Sequence, residues 1–372
     1  MSGIGFGPIL IYAPAMSDPS KEAAETPVHR RRPRYAGRNP RRFEDKYKEH
    51  NPERYPEAVS KVLASGKTPA GTHRPIMVAE ILEILTPQPG ELAIDCTLGY
   101  GGHARDILTR VQPGGRLIGL DTDPIELPKT EARLRALSFG PDVFTVVRSN
   151  FAGLPQVLAA NGISGADIIL ADLGVSSMQL DDPKRGFSVK YEGPLDMRMN
   201  PQRGQPASAL LEKLSPEALA ALLVENADEP YAHPIAEAIA SRRFATTTAL
   251  AAAIRTALPR LTGESCDLSV RRVFQALRIA VNDEFSALDT FLRHLPSCLN
   301  PGGRVAILTF HSGEDRRVKK AFSECLRNDS YASISHEVLR PTAAERHSNP
   351  RSAPAKLRWA IRSIVEPKEF TN

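Results

Sequence analysis

Apolar positions along the first half of the chain change period in a regular order. Val78, Ile81, Leu82 and Leu85 recur at helical spacing, and Pro87 and Pro89-Gly90 end the run. Short apolar runs then predict strands over about 92–96, 116–120, 143–147 and 167–171. Helical patterns fill the gaps at about 103–111, 124–137 and 153–161, the first with Ala104, Ile107, Leu108 and Val111 on one face. Strand alternating with helix predicts a parallel sheet with right-handed crossovers, an α/β fold.

The rhythm breaks between Met178 and Phe285, where no strand pattern is convincing. Helices are expected there instead: one capped by Ser215-Pro216-Glu217, one around 234–243, one from near Thr248 and one over 273–281. This reads as an inserted helical domain. A helical run over 288–299, a turn at Asn300-Pro301-Gly302-Gly303 and a fifth strand over 304–310 resume the α/β pattern. The expected organisation is an extension over 1–72, a sheet domain over 73–177 and 286–372, and a helical insertion over 178–285.

The ends of these strands carry the chemistry. The first runs into Asp95 and a loop holding Gly99, Gly101 and Gly102, then His103 and a helix. Such a loop brings backbone N–H groups close to a ligand. The second strand ends in Asp121, where a nucleotide-type ligand has its ribose hydroxyls held. An acid before the loop suits an adenosine cofactor lacking a pyrophosphate, such as S-adenosylmethionine. An ordinary tight turn is the plainer alternative, against which Asp121 counts.

After the fourth strand comes Asp172, then Gly174, Ser176, Ser177 and Gln179. A carboxylate and two hydroxyls at a sheet rim can accept hydrogen bonds from an exocyclic amine, favouring the tetrahedral nitrogen of a methyl transfer. The alternative is a turn cap. A long irregular connection follows with Arg185, Arg198 and Arg203, suited either to RNA phosphates or to a structural clamp. His311 and Ser312 follow the fifth strand, with Glu314 and Asp315 complementing a helix start. A histidine at that address serves either structure or catalysis.

Composition adds limits. The 372 residues are 41% hydrophobic and 24% charged, enough for a full α/β core and a smaller second unit. A net charge of +5 leans mildly toward polyanionic partners. Seven arginines between Arg30 and Arg42, in a segment with no acid between Glu25 and Glu44, suit either RNA phosphate contact or a solvated tail. Cys96, Cys266, Cys298 and Cys325 lie far apart, so neither a metal site nor a disulfide framework is expected, and a reducing cytoplasm is the default. The apolar run over 4–15 is short, broken by Pro8 and Pro14, and a poor signal peptide. No membrane span is expected.

Together these residues resemble the bacterial small-subunit (16S) ribosomal RNA cytosine-N4 methyltransferase family, the MraW type. The matching strings are 73–78 (His-Arg-Pro-Ile-Met-Val), 95–103 (Asp-Cys-Thr-Leu-Gly-Tyr-Gly-Gly-His), 119–124 (Gly-Leu-Asp-Thr-Asp-Pro), Asn150-Phe151 and 172–177 (Asp-Leu-Gly-Val-Ser-Ser). Further matches are 179–182, 185–188, 193–199 (Gly-Pro-Leu-Asp-Met-Arg-Met), 274–279, the histidine string at 310–316, 349–351 and 356–358. The resemblance implies a class I S-adenosylmethionine-dependent fold, Rossmann-like with an inserted helical domain. It implies methylation of the N4 amine of a cytosine in the decoding region, and the expected substrate is the assembled or nearly assembled 30S subunit. By motif, cofactor contacts fall on Gly101, Gly102, His103, Asp121, Phe151, Asp172 and Gln179, with Phe151 near the adenine. Asp172 is the first candidate to hold the amine, with Ser176, Ser177 and His311 lining the site. No membrane partner is implied, and a homodimer is left open.

The chain departs from the family pattern in places. Met178 stands for a proline, Gly313 for the leucine of His-Ser-Leu-Glu-Asp-Arg, and 226–230 and 268–271 differ from the family strings. Two other readings exist. A nicotinamide-dependent oxidoreductase is opposed by the acid on the first strand and the lack of a second mononucleotide half. A non-catalytic RNA-binding assembly factor is opposed by intact cofactor motifs.

Overall fold

The computed structural model describes residues 75–364. The expected amino-terminal extension, its arginines and the apolar run over 4–15 lie outside the described residues. Helix α1 (Val78–Leu85) leads into β1 (Leu92–Asp95), α2 (Gly102–Val111), β2 (Arg116–Asp121), α3 (Leu127–Ala136), β3 (Phe144–Arg148), α4 (Leu154–Ala160) and β4 (Ala166–Asp172). The helices α5 (Ser177–Asp181), α6 (Ala207–Lys213), α7 (Pro216–Ala227), α8 (Ala232–Ile239), α9 (Thr247–Ala257), α10 (Gly263–Asn282) and α11 (Glu284–His294) follow. The chain then forms β5 (Leu299–Thr309), α12 (Ser312–Arg327), β6 (Tyr331–Ile334), α13 (Ala343–Ser348) and β7 (Lys356–Arg362).

The strands make one sheet in the order β3-β2-β1-β4-β5-β7-β6. The first five pair in parallel, as their near-continuous apolar runs require when both sheet faces are covered. Successive residues point to opposite faces, so one core collects Ile94, Ile118, Ile169 and Ile307 and the other Ala93, Leu117, Ile168 and Leu308. Helices α11 and α12 supply Phe291 and Phe322 to the first face; α1 and α2 supply Leu85 and Leu108 to the second. A third cluster, including Leu219, Ile235, Ile254 and Val273, is built among α6 to α10. The order reverses between β1 and β4, and ligands in such sheets sit at the carboxyl ends beside that switch point.

The α/β architecture and its parallel sheet agree with the pattern of apolar runs. Differences lie at the edges. The Asn300-Pro301-Gly302-Gly303 turn is absorbed into β5, where Leu299 pairs Ala166 and Arg304 pairs Ile168 across a bulge. The antiparallel pair β7 and β6 extends the sheet past β5 and was not expected. Helix α10 starts ten residues before the expected 273, because its amino-terminal half buries only one flank, at Cys266, Ser269 and Val270.

Candidate functional site

The loop after β1 is braced from two sides. Asp121 at the end of β2 accepts the Gly99 N–H at 2.8 Å through Oδ2 and the Asp123 N–H at 2.9 Å through Oδ1. Thr130 on α3 donates its hydroxyl to the Gly99 carbonyl at 2.5 Å. Gly101 closes the loop with φ +80°, and a Cβ there would lie 2.9 Å from the Thr130 methyl. Only glycine meets both demands, so α2 can start against this wall.

Three carboxylates gather beside the loop. Asp95 is 2% exposed and accepts the Thr97 N–H at 3.1 Å. Burial pushes its carboxyl up to about 6, against the opposing pull of His103. Burial also raises Asp121, while its bonds from the Asp123 and Gly99 N–H groups oppose the shift. Asp172 stands at the tip of β4, its N–H donated to Thr97 Oγ1 at 2.6 Å. His103, on the first turn of α2, brings Nε2 to 3.6 Å from Asp172 Oδ2, an ion-pair distance just past hydrogen-bond reach. Burial presses the imidazole pKa down, but Asp172, then Asp95 and Asp106, outweigh it and set it above the ordinary value.

Thus Gly101, Gly102, His103, Asp121 and Asp172 converge, and Asp95 and Thr97 join them. Phe151 follows β3 in a short 3-10 turn, its ring edge-on to Phe291 at 5.4 Å. Gln179 is placed differently from a ligand contact. Its Oε1 accepts the Ser176 N–H at 3.0 Å, and its Nε2 donates to Asp123 Oδ2 at 2.9 Å. Ser176 caps α5 by accepting the Gln179 N–H, closing a capping box, and Ser177 begins that helix. The capping role of this turn is therefore present whatever else the turn does.

The three arginines separate. Arg185 is buried, pairs with Asp123 Oδ2 at 2.7 Å and donates to the carbonyls of Arg198 and Met199. This corrects the phosphate expectation for Arg185: its guanidinium is spent inside the protein as a clamp. Arg198 is paired with Asp196 at 2.7 Å, which lowers the Asp196 carboxyl despite the upward push of its partial burial. Arg203 is exposed in the turn that follows.

His311 caps α12 through Nδ1 and lies against Phe285 and Glu314, its Nε2 3.2 Å from Glu314 Oε1. Glu284, His311 and Glu314 bring ligand-type atoms within 4.8 Å of one another. Arg278 already donates to both Glu284 oxygens at 2.8 Å, so a side-chain cation supplies the positive charge there. Sequence reasoning assigned no part to Thr97, Asp123 or Arg278. Asp123 carried a faint signal, as the second acid of an Asp-x-Asp pair at a strand end.

The residues fit a cationic adenosine cofactor. Carboxylates outnumber bases around the loop, and Asp121 keeps further lone pairs for ribose hydroxyls. Sheet order, glycine loop and acid after β2 define the chain as a class I S-adenosylmethionine-dependent methyltransferase. A model of the MraW methylase family matches residues 70–363, and the chain belongs to that family.

It is 47% identical over 348 residues to "Ribosomal RNA small subunit methyltransferase H 1" of Lachnoclostridium phytofermentans, covering 91% of this chain and 94% of that one. It is 48% identical over 342 residues to "Ribosomal RNA small subunit methyltransferase H 2" of Alkaliphilus metalliredigens, covering 90% and 97%. Among solved structures, a putative methyltransferase from Streptococcus mutans in complex with SAH matches with TM-score 0.37 and 11% identity over 78% of this chain and 99% of that one.

Proposed function

We propose that this protein methylates the exocyclic N4 amine of a cytosine in the decoding region of 16S ribosomal RNA, using S-adenosylmethionine. The observation that carries the reading is the position of Asp172. Its carboxylate stands at the tip of β4, its backbone fixed by Thr97 and its Oδ2 facing His103. A carboxylate there accepts an N–H of the amine and favours the developing tetrahedral nitrogen. When bound, the cofactor supplies an electrophilic methyl group on a sulfonium. The ribose falls to Asp121, the adenine to the neighbourhood of Phe151, and the methionine end to the Gly101-Gly102-His103 loop. Gln179 acts on the cofactor through Asp123 and Asp121.

In this reading residues 73–177 and 286–372 form the methyltransferase domain, and 178–285 form the RNA-recognising insertion. Arg198 and Arg203 lie on the connection that meets phosphates. The target base is presented unstacked, on an assembled or nearly assembled 30S subunit in the cytoplasm. Among the described residues no helix is long and apolar enough to cross a membrane. A homodimer is compatible with this scheme, and gel filtration with light scattering decides it.

The test is transfer of tritium from labelled S-adenosylmethionine to small subunits from cells lacking this activity, followed by nucleoside analysis. Label in N4-methylcytidine is expected. Label on an adenine or a cytosine carbon defeats the assignment, and no label at all favours an assembly factor.

A further inference from the structure

His103 is buried at the carboxyl end of the sheet, facing Asp172. Its side chain is 8% exposed, and Nε2 has no hydrogen-bond partner. A buried ring nitrogen left in this state costs about 1–3 kcal/mol, so its retention calls for a use. That nitrogen lies 3.6 Å from Asp172 Oδ2. Catalytic hydrogen bonds are often this long without substrate and tighten when it binds.

The reaction itself needs an exit for a proton. The N4 lone pair forms the new N–C bond, and the S–C bonding pair stays on sulfur. The methylated nitrogen then carries one proton too many, and its N–H pair returns to nitrogen when that proton leaves. Asp172 alone would end protonated beside Asp95 and Asp121.

Resting on the cytosine-N4 reading above, we propose that Asp172 and His103 form a two-step proton exit: Asp172 accepts the amine proton, and His103 Nε2 takes it from Asp172. The imidazolium so formed is faced by Asp172 from β4, Asp95 from β1 and Asp106 from its own helix, with Asp106 also paired to Arg105. Carboxylates on three elements favour the charged ring, which gives the proton a stable place to stop. His103 works through Asp172 and is a positioning and relay residue. It must be neutral to accept. Turnover therefore rises with pH through the His103 pKa, which these carboxylates raise against the opposing effect of burial.

The experiment compares wild type with His103→Gln, reading kcat against pH at saturating cofactor and small subunit, and cofactor affinity by calorimetry. The expected result is a fall of about a hundredfold in kcat and loss of the acid limb, with any fall in cofactor affinity smaller than the fall in kcat. An acid limb retained in the Gln variant, or a loss confined to affinity, overturns the relay. The wild-type chain gives a second reading that does not depend on the variant folding. In protein labelled with nitrogen-15 histidine, Nε2 of His103 titrates in step with the acid limb; a ring that stays unchanged across it overturns the proposal. Wild type that yields no N4-methylcytidine defeats the parent reading, whereas N4-methylcytidine with an unaltered limb in the variant defeats the relay alone.

Discussion

Arg185 Nη1 meets Asp123 Oδ2 at 2.7 Å, with the two side chains only 8% and 1% exposed. The same oxygen accepts from Gln179, and the Asp123 N–H is held by Asp121. The guanidinium continues to the carbonyls of Arg198 and Met199, and the Met199 N–H reaches Asn282 on α10. One buried ion pair thus joins the cofactor loop to the helical region. Removing one partner of such a pair strands a charge, at about 3–5 kcal/mol. Arg185→Ala is expected to lose stability on that scale in urea unfolding, with Arg185→Lys between it and wild type. A phosphate contact predicts something different, a salt slope of RNA binding reduced by about one. An Arg185→Ala protein of wild-type stability and reduced slope would restore the phosphate role.

Asp95→Asn is expected to stabilise the protein without cofactor at neutral pH. The carboxyl titrates near 3.8 unfolded but at about 6 in the folded protein. Well below pH 3.8 both states are protonated and the group costs nothing; above 6 the full penalty of burying its charge applies, about 3 kcal/mol. The asparagine carbonyl can still accept the Thr97 N–H. The stability difference between variant and wild type should therefore grow as pH rises from about 4 to about 6 in urea titrations and level off above that, and stay flat throughout if Asp95 is not the source. Cofactor affinity should fall, because the variant removes a negative charge beside the loop proposed to hold the cationic cofactor.

Thr97→Val tests how firmly Asp172 must be held. The hydroxyl accepts the Asp172 N–H at 2.6 Å, and valine fills the same volume without that acceptor. An unmet N–H costs about 1–3 kcal/mol. Thermal unfolding should show the loss, and kcat should fall more than cofactor affinity. Thr97→Ser should recover both; a serine variant as impaired as valine points to packing of the methyl group instead.

The legible part of this molecule was its local chemistry. Parallel strands buried on both faces announce themselves as apolar runs, and Asp95, Asp121 and Asp172 were found because each ends such a run. The glycine loop was legible for the same reason. What stayed hidden depends on partners distant in sequence. Arg185 looks like any loop arginine until Asp123, 62 residues earlier, is brought beside it. Gln179 looks like a ligand contact until its amide is seen to be divided between Ser176 and Asp123. The strands β6 and β7 leave little trace in the sequence, because β6 is four residues long and β7 is defined by its antiparallel pairing with β5.

Gly313 explains one departure from the family pattern. It sits in the first turn of α12, where the family string carries leucine. A Cβ on Gly313 would stand 2.6 Å from Phe285 Cζ and 3.2 Å from His311 Nδ1. The Phe285 ring cannot swing away freely, since Arg317 lies 3.6 Å over it and the His311 ring 5.7 Å from it. Replacing a helical glycine with alanine ordinarily gains up to about 1 kcal/mol. Here overpacking, typically about 1–3 kcal/mol, should reverse the sign, so Gly313→Ala should lower Tm and Gly313→Leu lower it further. Phe285→Ala opens the space, and the double variant Phe285→Ala with Gly313→Leu should be more stable than the two single losses sum to. A coupling of about 0.5–3 kcal/mol in the thermodynamic cycle is the expected outcome. Strict additivity would show that Phe285 does not occupy the leucine's place.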